Sequence, residues 1–191
     1  MDNLTNSIDQ VVEENSLPHE WSKEVLAELK DLGVKNNKRD DLRKIPFVTI
    51  DGKDAKDFDD AVFCEANKDG FVLQVAIADV AEIVEPSSSI DKEALSRGTS
   101  IYFPKRVIPM LPEEISNNLC SLIPNEDRNV LVCKMNFTQE GEINSYDFSE
   151  SIINSHKRFT YNDVEFLKQN KDTNLSAKIL NSINARDKLT T

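Results

Sequence analysis

A cluster of aspartates fills the stretch Thr49-Ile-Asp-Gly-Lys-Asp-Ala-Lys-Asp-Phe-Asp-Asp-Ala-Val62, which lies between two strand-like runs. Like charges held close together repel and raise each other's pKa values, and the two lysines in the stretch do not neutralise so many carboxylates. Hard oxygen ligands with unsatisfied negative charge are what Mg²⁺ or Mn²⁺ binds. The stretch therefore predicts a divalent-cation site, and its candidate ligands are Asp51, Asp57, Asp59 and Asp60.

Other interpretations of the same stretch stay open at this point. Clustered aspartates usually form a solvated acidic turn, and a loop of this kind could also bind Ca²⁺ for rigidity alone. An EF-hand is excluded, because its loop needs Gly at the sixth position and Glu at the twelfth, where this chain has Lys56 and Val62 when counted from Asp51. With Mg²⁺ bound, an all-carboxylate site favours phosphoryl transfer or phosphodiester hydrolysis, without choosing between nuclease, phosphatase and polymerase.

The composition fits one ordinary core and argues against binding of nucleic acid by bulk positive charge. Of the 191 residues, 39% are hydrophobic and 30% are charged, and the formal net charge is -11. A polyanionic substrate would have to be attracted by metal ions and by other protein parts. The three cysteines show no CxxC spacing, which does not fit a zinc site or a disulfide framework.

The N-terminus and the hydropathy of the chain predict a cytoplasmic protein. Acidic residues occupy the places where a secretory signal would have a positive and then an apolar region. No apolar run approaches the roughly 18 residues that a membrane span requires. We therefore expect no membrane partner.

Hydrophobic periodicity predicts an α+β fold, with a mostly antiparallel sheet, helices packed on it and an N-terminal helical arm. The arm extends from Leu4 to Leu32, where Pro18 suits a helix start and Gly33 suits a helix stop. A polar linker rich in lysine and asparagine follows. The expected units are 1–44, which contains the arm and the linker, and 45–191, which contains the sheet.

The strands are predicted from short runs rich in β-branched and aromatic residues. The Asp-Gly dipeptide within Asn67–Gly70 predicts a hairpin, and the turn at Gln139–Gly141 predicts a second one. The prolines between Ser100 and Pro112 predict an extended, rigid loop. The predicted strands are 47–50, 61–64, 71–78, 131–137 and 143–148, and a helix is predicted near 90–97.

Beyond Ser155 the pattern becomes helical again. One predicted helix carries Val164 and Leu167. The last one carries an apolar stripe with few obvious partners, formed by Leu175, Ile179 and Ile183.

Five segments occur in an order that resembles a known family. They are Ile45–Val62, Val75-Ala-Ile-Ala-Asp-Val80, Arg97-Gly-Thr-Ser-Ile-Tyr-Phe-Pro104, Val107-Ile-Pro-Met-Leu-Pro112 and Asn118-Leu-Cys-Ser-Leu122. Together they resemble the catalytic domain of the ribonuclease R and ribonuclease II family, from about Leu17 to the C-terminus. The resemblance implies a processive 3′ to 5′ hydrolytic exoribonuclease that uses Mg²⁺, acts on single-stranded RNA and not on DNA, and releases nucleoside 5′-monophosphates.

The resemblance also assigns roles to individual residues. The four candidate ligands fall on the family's four metal-site aspartates, and Asp59 matches the position most closely tied to catalysis. Tyr102 aligns with a tyrosine that stacks on the 3′-terminal nucleotides, a role suited to an aromatic ring because every base has a π-face. Arg158 and Tyr161 lie in a segment that resembles one beside the RNA channel, where they would contact phosphate and ribose. Asp79 is expected to fix a turn by hydrogen bonds.

The family pattern includes parts that this chain does not contain. Small β-barrels flank the nuclease domain in the family, and the later half of that domain supplies an arginine and a glutamate to the active site. We therefore expect the chain to act with the C-terminal half of the nuclease domain, in cis or in trans, and to be weak or inactive alone. The alternative from a different class is a non-catalytic acidic interaction module or half of a split nuclease, which the apolar stripe favours.

Overall fold

The computed structural model of the protein describes residues 3–33, 38–104, 106–169, 181, 182, 185 and 188. The helices are α1 (Asn3–Glu14), α2 (Lys23–Glu28), α3 (Val80–Ile83), α4 (Ser89–Arg97) and α5 (Tyr161–Gln169), with a 3₁₀ turn at Leu29–Asp31 and a π-helical turn at Ile115–Leu119. The strands are β1 (Asp40–Asp41), β2 (Val48–Asp51), β3 (Asp60–Ala66), β4 (Gly70–Ala78), β5 (Ile101–Phe103), β6 (Arg106–Ile108), β7 (Asp127–Thr138), β8 (Ile143–Asn154) and β9 (Lys157–Thr160).

The α+β class is confirmed, and the main sheet has seven strands in the order β1-β8-β7-β4-β3-β2-β9. Its inner pairs are all antiparallel, whereas the two edge pairs, β1 with β8 and β2 with β9, are parallel. The sheet is therefore mostly antiparallel, as the sequence predicts.

Both predicted hairpins form, and they make up the middle of the sheet. In the first, β3 and β4 are joined by a turn in which the Asn67 amide donates to the Gly70 carbonyl at 2.9 Å. Gly70 has φ +149°, and a Cβ there would collide with the Phe137 carbonyl of β7, so the close packing of β4 against β7 requires glycine.

The second hairpin is longer than its sequence pattern indicates. The return strand was expected over 143–148, but β8 continues to Asn154. The extension is hidden in the sequence because it begins with the polar run Ser149-Glu-Ser151, yet Ser151 is fully buried and hydrogen-bonds with Ser149 at 2.8 Å.

The segment after Ser155 was expected to be helical, and that prediction is wrong for its first residues. Lys157–Thr160 forms β9, which pairs in parallel with β2 and sets Thr160 opposite Asp51. The helix begins only at Tyr161, and the predicted helical residues Val164 and Leu167 lie in it with both side chains buried.

The main core lies between one face of the sheet and the helical elements α2 and α4. Fully buried side chains there include those of Val130 and Ile153 from the sheet, Phe47 just before β2 and Val25 from α2. The opposite sheet face is covered at one end by α5, whose Val164 and Leu167 pack on Val48 and Phe159.

The helical arm joins this core instead of standing apart from it. Trp21 and Leu29 pack against the same buried cluster as Val25. Pro18 does not start the second helix, because α2 begins at Lys23 and the Ser22 hydroxyl caps it by accepting from the Val25 amide. The division of the chain at residue 44 stays a prediction.

The proline-rich stretch at 100–112 was expected to be an extended loop, but part of it forms strands. β5 and β6 pair antiparallel with each other, with Tyr102 opposite Val107, in a small sheet separate from the seven-stranded one. Pro104 and Pro109 lie just outside the two strands, so neither removes a ladder hydrogen bond.

The predicted apolar stripe of Leu175, Ile179 and Ile183 lies outside the described residues. Cys64, Cys120 and Cys133 form no disulfide bond among the described residues. Within the described part of the chain, every helix is too short or too polar to cross a membrane.

Candidate active site

The acidic loop, residues 51–60, connects β2 to β3 at one edge of the sheet. Asp51 is the last residue of β2 and Asp60 is the first of β3, while Asp57 and Asp59 lie between them. The chain turns after Gly52, where the Ala55 amide donates to the Gly52 carbonyl at 3.2 Å. The structure therefore brings the four predicted aspartates to one place in the fold.

A buried serine holds this loop by its backbone. The Ser121 hydroxyl, which is fully buried, accepts from the Phe58 amide at 3.1 Å and donates to the Lys56 carbonyl at 2.8 Å. The Leu122 amide donates to the Phe58 carbonyl at 2.9 Å. These bonds flank Asp57 and precede Asp59, so the backbone of the loop is fixed by a segment more than sixty residues away in sequence.

Phe58 and Arg158 also hold the loop in place. The Phe58 ring is buried in the main core, although Phe58 lies between Asp57 and Asp59 in the sequence. The Arg158 guanidinium of β9 lies 5.0 Å from the centre of that ring and donates to the Gly52 and Lys53 carbonyls at 2.8 and 2.7 Å. Arg158 was predicted to contact phosphate; the contacts that it makes here support the loop, and the phosphate contact stays a prediction.

The electrostatic environment disfavours ionisation of three of the four carboxylates. Loss of hydration raises the pKa of Asp51, and the charges of Asp60 and Asp57 raise it further, against a smaller opposing effect of Arg158. Loss of hydration also raises the pKa of Asp59, again with help from its acidic neighbours, and it raises that of Asp60. Asp59 and Asp60 have exposed side chains, so their loss of hydration is partial.

The donor set fits a divalent cation, although the side chains do not converge on one. Asp51 Oδ2 is buried without a hydrogen-bond partner, and an unsatisfied acceptor among like charges is what a cation would stabilise. Within the described ranges, however, no three His, Cys, Asp or Glu side chains are grouped closely enough to hold an ion. Strand alternation explains part of this, because Asp60 shares a face with Ile77 whereas Asp51 shares the opposite face with Thr49.

Tyr102 lies beside the same loop. A cleft of about 800 Å³ is lined on one side by loop residues that include Asp57 and on the other by the β5–β6 hairpin that carries Tyr102. The Tyr102 side chain is 68% exposed, so its ring is available to a ligand.

Tyr161 lies at the same edge of the sheet. It follows Thr160, which is paired with Asp51, and it begins α5 with a side chain that is 65% exposed. Its position is fixed because Thr160 and Asp163 cap the helix reciprocally, with the Thr160 amide donating to Asp163 at 2.8 Å and the Asp163 amide donating to the Thr160 hydroxyl at 3.1 Å.

Asp79 was expected to fix a turn by hydrogen bonds, but its side chain does not cap the turn that begins α3 and pairs with a distant arginine instead. Its carboxylate accepts from the buried Arg39 guanidinium at 2.6 Å, and Arg39 also pairs with Glu82 at 3.1 Å. This buried network ties the chain just before β1 to the end of β4. Sequence reasoning missed it because Arg39 lies in a polar linker and 40 residues separate the partners.

Sequence reasoning also missed Ser121, although it lies in the quoted segment Asn118–Leu122. Its neighbour Cys120 is buried, and burial together with the nearby charge of Asp59 raises the pKa of the thiol to about 11. The thiol is therefore protonated at neutral pH, which gives it no nucleophilic or ligand role there.

Comparison with known proteins decides the family. The model of the RNB domain matches residues 39–191. The chain belongs to the RNB family. Ribonuclease R of Vibrio parahaemolyticus is 51% identical over 156 residues, which are 78% of this chain and 19% of that relative. Ribonuclease R of Escherichia coli is 48% identical over 164 residues, which are 83% of this chain and 20% of that relative.

A solved structure extends the similarity to nearly the whole chain. The RNB family member Mycoplasma genitalium RNase R, determined in complex with double-stranded RNA, matches with a TM-score of 0.93 and 37% identity over 99% of this chain and 35% of that one. The chain thus spans well under half the length of each of these relatives. The resemblance stated from the sequence is confirmed.

The first prediction concerns Ser121. Ser121→Ala should destabilise the protein by about 1 to 3 kcal/mol, because the Phe58 amide and the Lys56 carbonyl lose a buried partner. It should also weaken Mn²⁺ binding measured by calorimetry, because the loop is no longer fixed. Ser151→Ala is the matched control: this serine is equally buried but lies in β8, so it should lower stability and leave Mn²⁺ affinity unchanged. Equal Mn²⁺ affinities for both variants would contradict the proposal that the Ser121 hydrogen bonds hold the acidic loop in its cation-binding shape.

The second prediction concerns the pH dependence of stability without metal. Because the pKa of folded Asp59 lies above the usual 3.8, the folded state holds its proton to higher pH than the unfolded state. The stability associated with this group is therefore present below about pH 3.8 and lost as the pH rises through the folded pKa. In EDTA at pH 7, Asp59→Asn should raise the melting temperature by about 1 to 2 °C, with a smaller difference at lower pH.

Asp69→Asn, in the exposed turn between β3 and β4, is the control for the loss of one negative charge, and it should change the melting temperature less. A lower melting temperature for Asp59→Asn than for the wild type in EDTA at pH 7 would show that the loop carboxylates do not repel one another.

Proposed function

We propose that the protein is a catalytic part of a metal-assisted 3′ to 5′ exoribonuclease that hydrolyses single-stranded RNA to nucleoside 5′-monophosphates. The observation that carries the proposal is the acidic loop, in which aspartates with raised pKa values lie together at the sheet edge of an RNB family chain. Phosphodiester hydrolysis uses such carboxylates to hold Mg²⁺ or Mn²⁺.

The four loop aspartates would hold the cation. A bound ion supplies Lewis acidity at the scissile phosphate and lowers the pKa of a water molecule. Asp59 has an exposed carboxylate, so one of its oxygens would be available to accept a proton from the attacking water. Asp51 would be a direct ligand through its unpartnered Oδ2 atom.

RNA would enter along the cleft beside the loop. Tyr102 supplies an exposed ring on which a terminal base can stack. The roles of Tyr161 at the ribose and of Arg158 at a phosphate stay predictions, as does the cytoplasmic location. With a net charge of -11, the chain would repel RNA unless cations offset the charge at the site.

An exposed apolar surface supports the expectation that further polypeptide completes the site. The exposed sheet face, defined by Ile77, Leu131, Tyr146 and Phe148, lies on the side of the sheet opposite the main core. Its two aromatic rings are 66% and 69% exposed and lie 5.7 Å apart. A contiguous apolar patch of this kind marks a contact surface.

We infer that this face packs against the part of the nuclease domain that follows this region in the longer ribonuclease R relatives, in cis or in trans. Asp60 shares the face with Ile77 through strand pairing, so the same contact would bring additional groups to the acidic loop. The same contact could form between two separate polypeptides, as the alternative of a split nuclease requires.

The third prediction tests in one assay the proposed nuclease activity and the proposed need for a second polypeptide. The chain is mixed with a polypeptide equivalent to the following part of a ribonuclease R relative, and release of mononucleotides from a uniformly labelled oligo(A) is measured with Mg²⁺. We expect rapid release only from the mixture, and a loss of at least about 100-fold with Asp59→Asn. Asp69→Asn should leave the rate unchanged.

Tyr146→Ser combined with Phe148→Ser should weaken association of the two polypeptides. Rapid release by the chain alone would contradict the need for a second part but support the nuclease assignment. Full activity of the mixture containing Asp59→Asn would contradict the catalytic role of the acidic loop.

A further inference from the structure

The hairpin that carries Tyr102 needs support from outside itself. β5 and β6 contain three residues each and form a two-stranded sheet that does not join the seven-stranded one. An isolated two-stranded hairpin is marginally stable at best in water. The position of Tyr102 therefore depends on what packs against this hairpin.

Helix α1 supplies an apolar surface for it. Ile8 and Val12 of α1 are buried in one cluster with Ile108 of β6, and Ile101 and Phe103 of β5 pack against that cluster. The exposed fractions of Ile8, Val12 and Ile108 are only 7%, 3% and 4%. One face of the hairpin is thus closed by α1.

Strand alternation then determines where Tyr102 lies. Ile101 is paired with Ile108, and both belong to the face covered by α1. Tyr102 is paired with Val107 on the opposite face, where their exposed fractions are 68% and 45%. Packing of α1 on one face therefore leaves Tyr102 on the open face, where its exposed ring lines the cleft.

Polar contacts fix the same arrangement. Asp9 of α1 pairs with Arg106 of β6 at 2.5 Å. The Arg97 guanidinium, which lies 3.6 Å over the Trp21 ring, donates to the Pro18 carbonyl at 2.9 Å and to the Pro109 carbonyl at 3.2 Å. The segments that follow α1 and β6 are thereby joined through one buried side chain.

Helix α1 lies entirely before residue 39, where the match to the RNB family model begins. We propose that α1 is a working part of the RNA site and acts by positioning Tyr102 for stacking on a base. The aspartates and the tyrosine would then have separate supports: the sheet and Ser121 hold the acidic loop, and α1 holds the Tyr102 hairpin. This inference rests on the proposed function.

The fourth prediction uses adjacent valines in one helix. Val12→Ala truncates a side chain buried against the hairpin, and Val11→Ala makes the same change at a side chain that is 41% exposed. In the full chain, Val12→Ala should increase hydrogen exchange at the amides of β5 and β6, and Val11→Ala should not. Val25→Ala removes the same atoms from the main core and controls for general loss of stability.

The functional readout is affinity for a fluorescent single-stranded oligo(A) in Mn²⁺, measured together with Mn²⁺ affinity. Tyr102→Ala should weaken RNA binding by about tenfold, the loss expected for one stacked base. Val12→Ala should weaken it by several-fold in the wild type, have no further effect in the Tyr102→Ala background and leave Mn²⁺ affinity unchanged.

An equal loss in both backgrounds, or unchanged RNA affinity for Val12→Ala, would overturn the role of α1 while leaving the role of Tyr102 intact. Unchanged RNA affinity for Tyr102→Ala would overturn the proposed stacking role and the inference that rests on it.

Discussion

The anchoring of the acidic loop by Ser121 is the constraint on which the rest of the site depends. Four carboxylates that repel one another would separate if the loop were free, but the loop backbone is held by hydrogen bonds and by the buried Phe58 ring. The core thus keeps like charges together, and the cost appears as raised pKa values in the carboxylates. Under the proposed function, a bound cation would offset that cost, which would explain how a stable fold retains an unfavourable cluster.

Different parts of the structure hold the acidic loop and the Tyr102 side chain in place. The acidic loop belongs to the seven-stranded sheet and is held by β9 through Arg158 as well as by Ser121. Tyr102 belongs to a hairpin outside that sheet, held by α1. The acidic loop and the hairpin line opposite sides of the same cleft. The exposed sheet face would add a third requirement, under the proposal that its aromatic side chains pack against a further part of the nuclease domain.

The sequence predicted the features that depend on residues close together in the chain. Alternation and the Asp-Gly turn gave the β3–β4 hairpin, and the ordered segments gave the family. Features that depend on distant pairing were missed: β9 pairs in parallel with β2, which no short-range pattern encodes, and Ser121 contacts Phe58 across 63 positions. The prolines at 104 and 109 suggested a loop because the sequence alone does not show whether a proline lies inside a strand or just beyond its end.

The central claim is that the loop carboxylates are kept together to bind a divalent cation, and Mn²⁺ anomalous diffraction from crystals of the chain tests it most directly. The account predicts an anomalous peak in contact with the Oδ2 atom of Asp51, the buried acceptor that has no partner in the metal-free fold. No peak at the loop in crystals grown with millimolar Mn²⁺, or a peak only at unrelated surface carboxylates, would contradict it.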